Sequence, residues 1–225
     1  CFISLDNATF AVSSDGFTPL KLLHGWPRYD SDAAVPAVQL IDGVVHFEGA
    51  IGGSKKNPIP FKMPAKFRPA ETVYVKVDLC NATNGRLEID ADGTVNIEVF
   101  KKFSNAKCFT SLDGASYALK TNGFTTLSLI NGWNNYFGDR PAAVNLVNGV
   151  VQFAGALETS GTDATAFVLP SAYRPSQTVY LPVDECDATN GRSVITSDGN
   201  VDVQAEDDFS FAQCFTSLEG VSFVK

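Results

Sequence analysis

AVQLIDGVVHFEGAI, at residues 37–51, reads as a strand, an Asp-Gly turn and a second strand. Asp-Gly accepts the positive φ that a two-residue hairpin demands, and the Val, Leu, Ile and Phe around it suit a pleated, half-buried surface. The stretch returns as AVNLVNGVVQFAGAL at 143–157, with Asn-Gly at the turn. A further hairpin, RLEIDADGTVNIEVF at 86–100, is mirrored by RSVITSDGNVDVQAE at 192–206. Between these hairpins Val73, Val75 and Val77 alternate with Tyr74, Lys76 and Asp78, the period of two that buries one face of a strand. No stretch keeps a 3.6-residue period for three turns, so helices are not expected. Turns every ten residues or so give roughly 7–9 strands per unit. The fold class is therefore all-β, with tandem antiparallel β-sandwich domains of jelly-roll type.

Almost every landmark of the first unit recurs in the second. CFISLDNATF at residue 1 becomes CFTSLDGASY at 108 and CFTSLEGVSF at 214. Gly25-Trp26 and Tyr29 match Gly132-Trp133 and Tyr136, and Phe67-Arg68-Pro69 matches Tyr173-Arg174-Pro175. The offset is 107 residues early in the unit and 106 later, so one residue is lost between Asp32 and Val38 or their counterparts. The organisation read from this is a first repeat at 1–107, a second at 108–213, and at 214–225 the opening strand of a third, which has the option of completing the second. No Pro/Gly/Ser linker separates them. A unit of this length is a whole domain rather than a solenoid repeat.

Composition narrows the function. The 225 residues are 44% hydrophobic and 19% charged, enough to bury a core. A formal charge of −8 without a basic cluster argues against nucleic acid as a partner. No apolar run approaches the ~20 residues of a membrane span.

Five Cys occupy only two positions of the repeat: Cys1, Cys108 and Cys214 at its opening, Cys80 and Cys186 late in it. Thiols recurring in register imply a disulfide framework and an oxidising, extracellular or cell-surface compartment. Two pairings fit the period. Cys80–Cys108 with Cys186–Cys214 closes equal loops of 28; Cys1–Cys80 with Cys108–Cys186 closes loops of nearly 80. The first is favoured, because it staples each opening strand to the tail of the unit before and leaves Cys1 for a preceding repeat. Zinc is disfavoured, because Cys-x-x-Cys is missing and no His recurs. Neither a metal nor a cofactor is expected.

Catalytic signals are thin. His24 and His46 are replaced by Asn131 and Gln152 in the second unit, and no Ser or Cys lies in a G-x-S-x-G elbow. The shared acids are Asp32/Asp139, Asp78/Asp184 and Asp92/Asp198, the last pair before turn glycines. Asp90-Ala91-Asp92-Gly93 has the look of the start of a calcium loop, but Thr196-Ser197-Asp198-Gly199 drops one carboxylate and a hairpin turn is the better account. No enzyme is expected. The repeated Gly-Trp-x-x-Tyr segment offers Trp26, Tyr29, Trp133 and Tyr136 as candidate glycan-binding residues; the competing and more usual role of large aromatics is that Trp26 and Trp133 plug a sandwich core or a subunit contact. Arg68 and Arg174 are expected to cap locally. Asn7-Ala8-Thr9 and Asn81-Ala82-Thr83 are candidate N-glycosylation sequons, both lost in the second unit.

Leu-x-x-Gly-Trp, Gly-Val-Val-x-Phe-x-Gly, Phe-x-x-Pro-x-x-Phe/Tyr-Arg-Pro and a closing Gly-x-Val hairpin, over residues 20–100 and 127–205, resemble the β-rich modules of phage tail-fibre tips and baseplate receptor-binding proteins. The resemblance implies an extracellular, non-enzymatic module that assembles with copies of itself and contacts cell-surface glycans, with Trp26, Tyr29, Trp133 and Tyr136 as the positions to test. Tandem repetition and paired Cys point instead to a secreted surface or filament protein built from a similar module. The leading expectation is thus a structural repeat of an extracellular fibre, sheath or filament; the alternative is a carbohydrate-binding adhesin or phage-type receptor-binding module.

Overall fold

At the first hairpin Asp42 and Gly43 take φ of 49° and 85°, and at its copy Asn148 and Gly149 take 51° and 82°. These are the paired left-handed residues of a tight two-residue loop, and they bring Ile41 opposite Val44 and Ala37 opposite Glu48. The computed structural model describes residues 2–53 and 57–225. Its contacts divide the chain into two units: Thr9–Lys120, and Thr121–Lys225 together with residues 2–8.

In the first unit the strands are β1 (Thr18–Pro19), β2 (Ala37–Ile41), β3 (Val44–Glu48), β4 (Ala50–Ile51), β5 (Phe61–Lys62), β6 (Val73–Leu79), β7 (Thr83–Ile89) and β8 (Thr94–Val99). A short helix α1 (Phe103–Cys108) follows, then β9 (Thr110–Ser111) and β10 (Ser116–Ala118). The second unit repeats this as β11 (Thr125–Thr126), β12 (Trp133–Asn135), β13 (Ala143–Val147), β14 (Val150–Ala154), β15 (Ala156–Thr159), β16 (Thr165–Val168), β17 (Val179–Glu185), β18 (Thr189–Ile195) and β19 (Asn200–Ala205). It closes with α2 (Phe209–Cys214), β20 (Thr216–Ser217) and β21 (Ser222–Val224).

Each unit is an antiparallel, all-β sandwich of two layers. In the first a four-stranded sheet, β1-β2-β3-β10, faces a six-stranded one, β4-β9-β6-β7-β8-β5. The second has a four-stranded sheet, β11-β13-β14-β21, and a seven-stranded one, β12-β15-β20-β17-β18-β19-β16. The strands exceed the seven to nine expected because several are two-residue pieces. Val73, Val75 and Val77 are buried as their alternation predicts, and they share one core with Val38, Val45 and Phe47 of the opposite layer. The chain passes from one layer to the other at Gly49, between β3 and β4. There φ is 91°, and a Cβ would stand 2.6 Å from the Ala34 carbonyl oxygen. Gly155, at φ 92°, makes the same corner 2.6 Å from the Pro141 oxygen.

The structural unit is shifted relative to the sequence repeats at 1–107, 108–213 and 214–225. Thr110–Ser111 bridges β4 and β6, and Ser116–Ala118 lies along β3, so the opening of the second sequence repeat completes the first unit. Thr216–Ser217 and Ser222–Val224 complete the second unit in the same way. The disulfides follow this closure: Cys80 is joined to Cys108 and Cys186 to Cys214. The expected link of Cys1 to a preceding repeat lies outside the described residues. The expectation of no helix is corrected. α1 and α2 run for six residues each, too short for an apolar stripe to repeat.

Candidate functional site

The Gly-Trp-x-x-Tyr segment begins with a tight turn. His24 and Gly25 have φ of 51° and 75°, Asn131 and Gly132 of 56° and 82°, and the Trp26 N–H donates to the Leu23 carbonyl at 2.9 Å. The first of these positions requires left-handed backbone, which Asn tolerates better than most residues. That explains the His24-to-Asn131 exchange without any catalytic role.

The turn sends each Trp inward. Trp26 and Trp133 are both 3% exposed. Their indole N–H groups donate to the Asn57 and Asp163 carbonyls, each at 2.9 Å. Their rings meet Phe103 and Phe209 edge-on at centroid distances of 6.4 and 6.3 Å. Tyr29 and Tyr136 remain 45% and 43% exposed. They rest edge-on against Phe109 and Phe215, at 4.8 and 4.9 Å. Phe103 opens α1 and Phe109 follows its last residue, Cys108. The Trp and Tyr of one motif therefore grip the two ends of the Cys-bearing helix, and the second unit reproduces the grip on α2. What the sequence offered as a ligand surface is, for the two Trp, a buried brace on the first residue of the Cys-bearing helix; of the four aromatics the two Tyr are the ones that present ring surface to solvent.

The remaining candidates do not converge. Asp32 and Asp139 are exposed in loops, and the Asp30 carboxylate accepts from the backbone N–H groups of Asp32 and Ala33. Asp78 is exposed whereas Asp184 is buried. The Asp92 carboxylate accepts from Lys62 at 2.8 Å and from the Thr94 N–H at 2.8 Å, which holds its pKa below the usual carboxylate range. Asp90 and Gly93 close a hairpin turn, Gly93 N–H to Asp90 oxygen at 2.8 Å, as Gly199 and Thr196 do at 2.9 Å. Arg68 and Arg174 cap locally, their Nε atoms donating to the Met63 and Leu169 carbonyls at 3.0 and 2.8 Å. His46 is half-buried, and burial lowers its pKa. Asn81 is exposed with φ of 62°, while the Asn7 side-chain oxygen accepts from Ser222. No group of three or more His, Cys, Asp or Glu able to hold a metal occurs among the described residues, and no helix among them is long and apolar enough to cross a membrane.

Two polar constellations escaped the sequence reading. In the second unit Arg140, 1% exposed, pairs with Glu219, 6% exposed, through Nε–Oε1 at 2.6 Å and Nη2–Oε2 at 3.0 Å. Glu219 Oε1 also accepts the Gly155 corner N–H at 2.7 Å. Its sequence signal was a Glu where the other two copies carry Asp6 and Asp113, together with Arg140 where the first unit has Ala33. On the outer face of β6–β8, the Tyr74 hydroxyl donates to Glu88 at 2.9 Å and Arg86 pairs with Glu98 at 2.6 Å. Burial and the Glu88 carboxylate raise the Tyr74 pKa. This ladder is a cross-strand surface feature, read only from register.

No family model, curated protein or solved structure matches the chain.

Proposed function

We propose that the chain is a structural repeat of an extracellular fibre, sheath or surface filament, made of disulfide-stapled β-sandwich units in series. The observation that carries this reading is the closure of each unit by the segment that opens the next sequence repeat, locked by Cys80–Cys108 and Cys186–Cys214. Such a unit cannot be separated at the repeat boundary without losing core residues. The repeated aromatic motif supports the same reading, because it braces the disulfide-bearing helix in both copies. Paired Cys fit an oxidising compartment, hence a secreted protein. Negative-stain microscopy of material from the native source tests this. Regular filaments are expected, and discrete unassembled particles would sink it.

The second reading, a glycan-binding adhesin, draws on one observation: Tyr29 and Tyr136 keep nearly half their surface exposed at equivalent places. A glycan array compared with Tyr29→Ala and Tyr136→Ala decides it. Binding that both substitutions abolish is required, and absent or unchanged binding removes it.

A further inference from the structure

Residues 2–12, FISLDNATFAV, are the first copy of a segment that the fold uses twice more. In the later copies the segment closes a unit, and Leu112, Ala115 and Tyr117, like Leu218, Val221 and Phe223, are at most 5% exposed. The first copy has no such cover. Leu5 is 79% and Phe10 78% exposed, and Ile3, equivalent to the fully buried Thr110 and Thr216, is 90% exposed.

The segment nevertheless already has the closing shape. The Ala8 N–H donates to the Leu5 carbonyl at 3.1 Å, as Ala115 does to Leu112 at 3.1 Å and Val221 to Leu218 at 3.3 Å. Asn7 has φ of 66° where Gly114 and Gly220 have 78° and 74°. Ser4 Oγ accepts the Asp6 N–H at 3.1 Å, and Ser111 and Ser217 do the same for Asp113 and Glu219 at 3.2 Å. Polar side chains and Phe2 hold it in place: Ser4 donates to the Tyr180 oxygen at 3.0 Å, Asp6 accepts the Tyr180 N–H at 2.9 Å, Asn7 Oδ1 accepts from the Ser222 N–H and hydroxyl at 3.1 and 2.8 Å, and Phe2 leans on the Tyr180 ring. The core-forming residues Ile3, Leu5 and Phe10 face solvent. Both receiving positions in the chain are filled by residues 110–118 and 216–224 and are sealed by disulfides.

We propose that residues 2–12 are the closing segment of a further copy of this unit, one that has no closing segment of its own. In that copy the segment bridges the strands equivalent to β4 and β6 and then runs along the equivalent of β3, with Leu5 and Phe10 in its core. Asp6 caps the corner glycine there, as Asp113 Oδ1 accepts the Gly49 N–H at 2.8 Å and Glu219 Oε1 the Gly155 N–H at 2.7 Å. The inference rests on the structural-repeat reading and deepens it by naming the partner and its contact.

The test extends the full chain rather than cutting it. A second copy of residues 9–107 is placed directly ahead of Cys1, so that a receiving unit of known sequence precedes the orphan segment. Non-reducing peptide mapping is expected to join Cys1 to the added copy of Cys80, with the added copy of Trp26 buried, and Leu5→Asp with Phe10→Asp is expected to abolish both. A parallel chain carrying residues 108–120 in place of 1–13 serves as reference. If the reference closes its added unit while residues 1–12 leave Cys1 reduced, the proposal is overturned. If neither closes, the unit itself is not residues 9–107 sealed by the segment behind them, and the proposal falls with that premise. Both results are read on purified protein, so they stand apart from whether native material forms filaments.

Discussion

Replacing Cys80 and Cys108 together by Ser isolates the contribution of one staple. The bridge closes 28 residues, for which loop entropy gives about 3.6 kcal/mol of stabilisation. Neither sulfur sits deep, Cys80 being half-buried and Cys108 exposed, so the hydroxyls add little desolvation cost and leave no core cavity. The constraint on the unfolded chain should dominate. The chain has two Trp, one buried in each unit, so in a Trp133→Phe background Trp26 reports the first unit alone. With a urea slope of about 1.5 kcal/mol/M, the Trp26 midpoint should fall by about 2.4 M. Cys186→Ser with Cys214→Ser should do the same to Trp133 in a Trp26→Phe background, since its loop has the same length. A midpoint that moves by less than about 0.5 M, with the slope unchanged, would refute the loop-closure argument.

Three other perturbations probe separate features. Glu219→Gln removes the carboxylate charge that faces the buried Arg140 guanidinium and should cost the second unit about 3–5 kcal/mol by urea denaturation, with much of the loss recovered when Arg140 is replaced by Met as well; a cost under about 1 kcal/mol would show that the pair is not desolvated as its 1% and 6% exposures indicate. Gly49→Ala drives a Cβ into backbone 2.6–2.8 Å away at positive φ and should cost about 3 kcal/mol, whereas Gly43→Ala, at a similar φ with open space around it, should cost only about 1 kcal/mol; equal losses would remove the corner argument. Burial holds the His46 pKa below its ordinary value of 6.5, partly offset by Asp42, so the unfolded chain takes up the proton more readily and the stability of the neutral ring is present above about pH 6.5 and lost below it. The first unit of the native chain should therefore lose more Tm between pH 7.5 and 5.5 than the His46→Gln variant, and an equal loss would show that the ring titrates alike folded and unfolded.

Local turn chemistry made the hairpins legible in the sequence. In Asp42-Gly43 and Asn148-Gly149 the residue types themselves tolerate the positive φ, Gly because it lacks a Cβ, so no distant contact was needed to read them. Two copies in register narrowed the disulfide pairing to two options, and the idea that each opening segment is stapled to the unit before it favoured the one observed. The short helices were not. FSNAKC and FSFAQC are held by the disulfide and the Trp edge rather than by an apolar stripe, and only the second copy has a capping acid, Asp208, accepting from the Ser210 N–H. The role of Trp26 and Trp133 was ambiguous in sequence, because a large aromatic suits a ligand face and a core alike. The left-handed turn at His24-Gly25 and Asn131-Gly132 settles their direction, and that direction depends on backbone that composition does not reveal. The pairing of Arg140 with Glu219 spans 79 residues and had only the Asp-to-Glu exchange and an Arg in place of Ala33 to announce it.

The shift between sequence repeat and folded unit has a consequence of its own. Residues 9–120 should fold as an independent domain, and residues 9–107 should not, although the shorter piece ends at the boundary the Cys pattern suggests. The twelve residues after Cys108 carry Leu112 and Tyr117, both fully buried, and Ala115 and Ala118, nearly so. Truncating two such large side chains costs about 3 kcal/mol each, and loss of Cys108 removes about 3.6 kcal/mol more. The total is about 10 kcal/mol, comparable to all the stability a domain of this size holds. The Tyr117 hydroxyl also donates to the Phe67 carbonyl, and the Asp113 cap on Gly49 goes with it. Trp26 emission should be blue-shifted and lost cooperatively in urea for residues 9–120, and already red-shifted in buffer for residues 9–107. A cooperative transition in the shorter piece would mean that β9 and β10 decorate a sandwich that is complete without them. The repeat would then be phased from Cys to Cys after all, and the exposed apolar residues of the first segment would need no receiving unit to explain them.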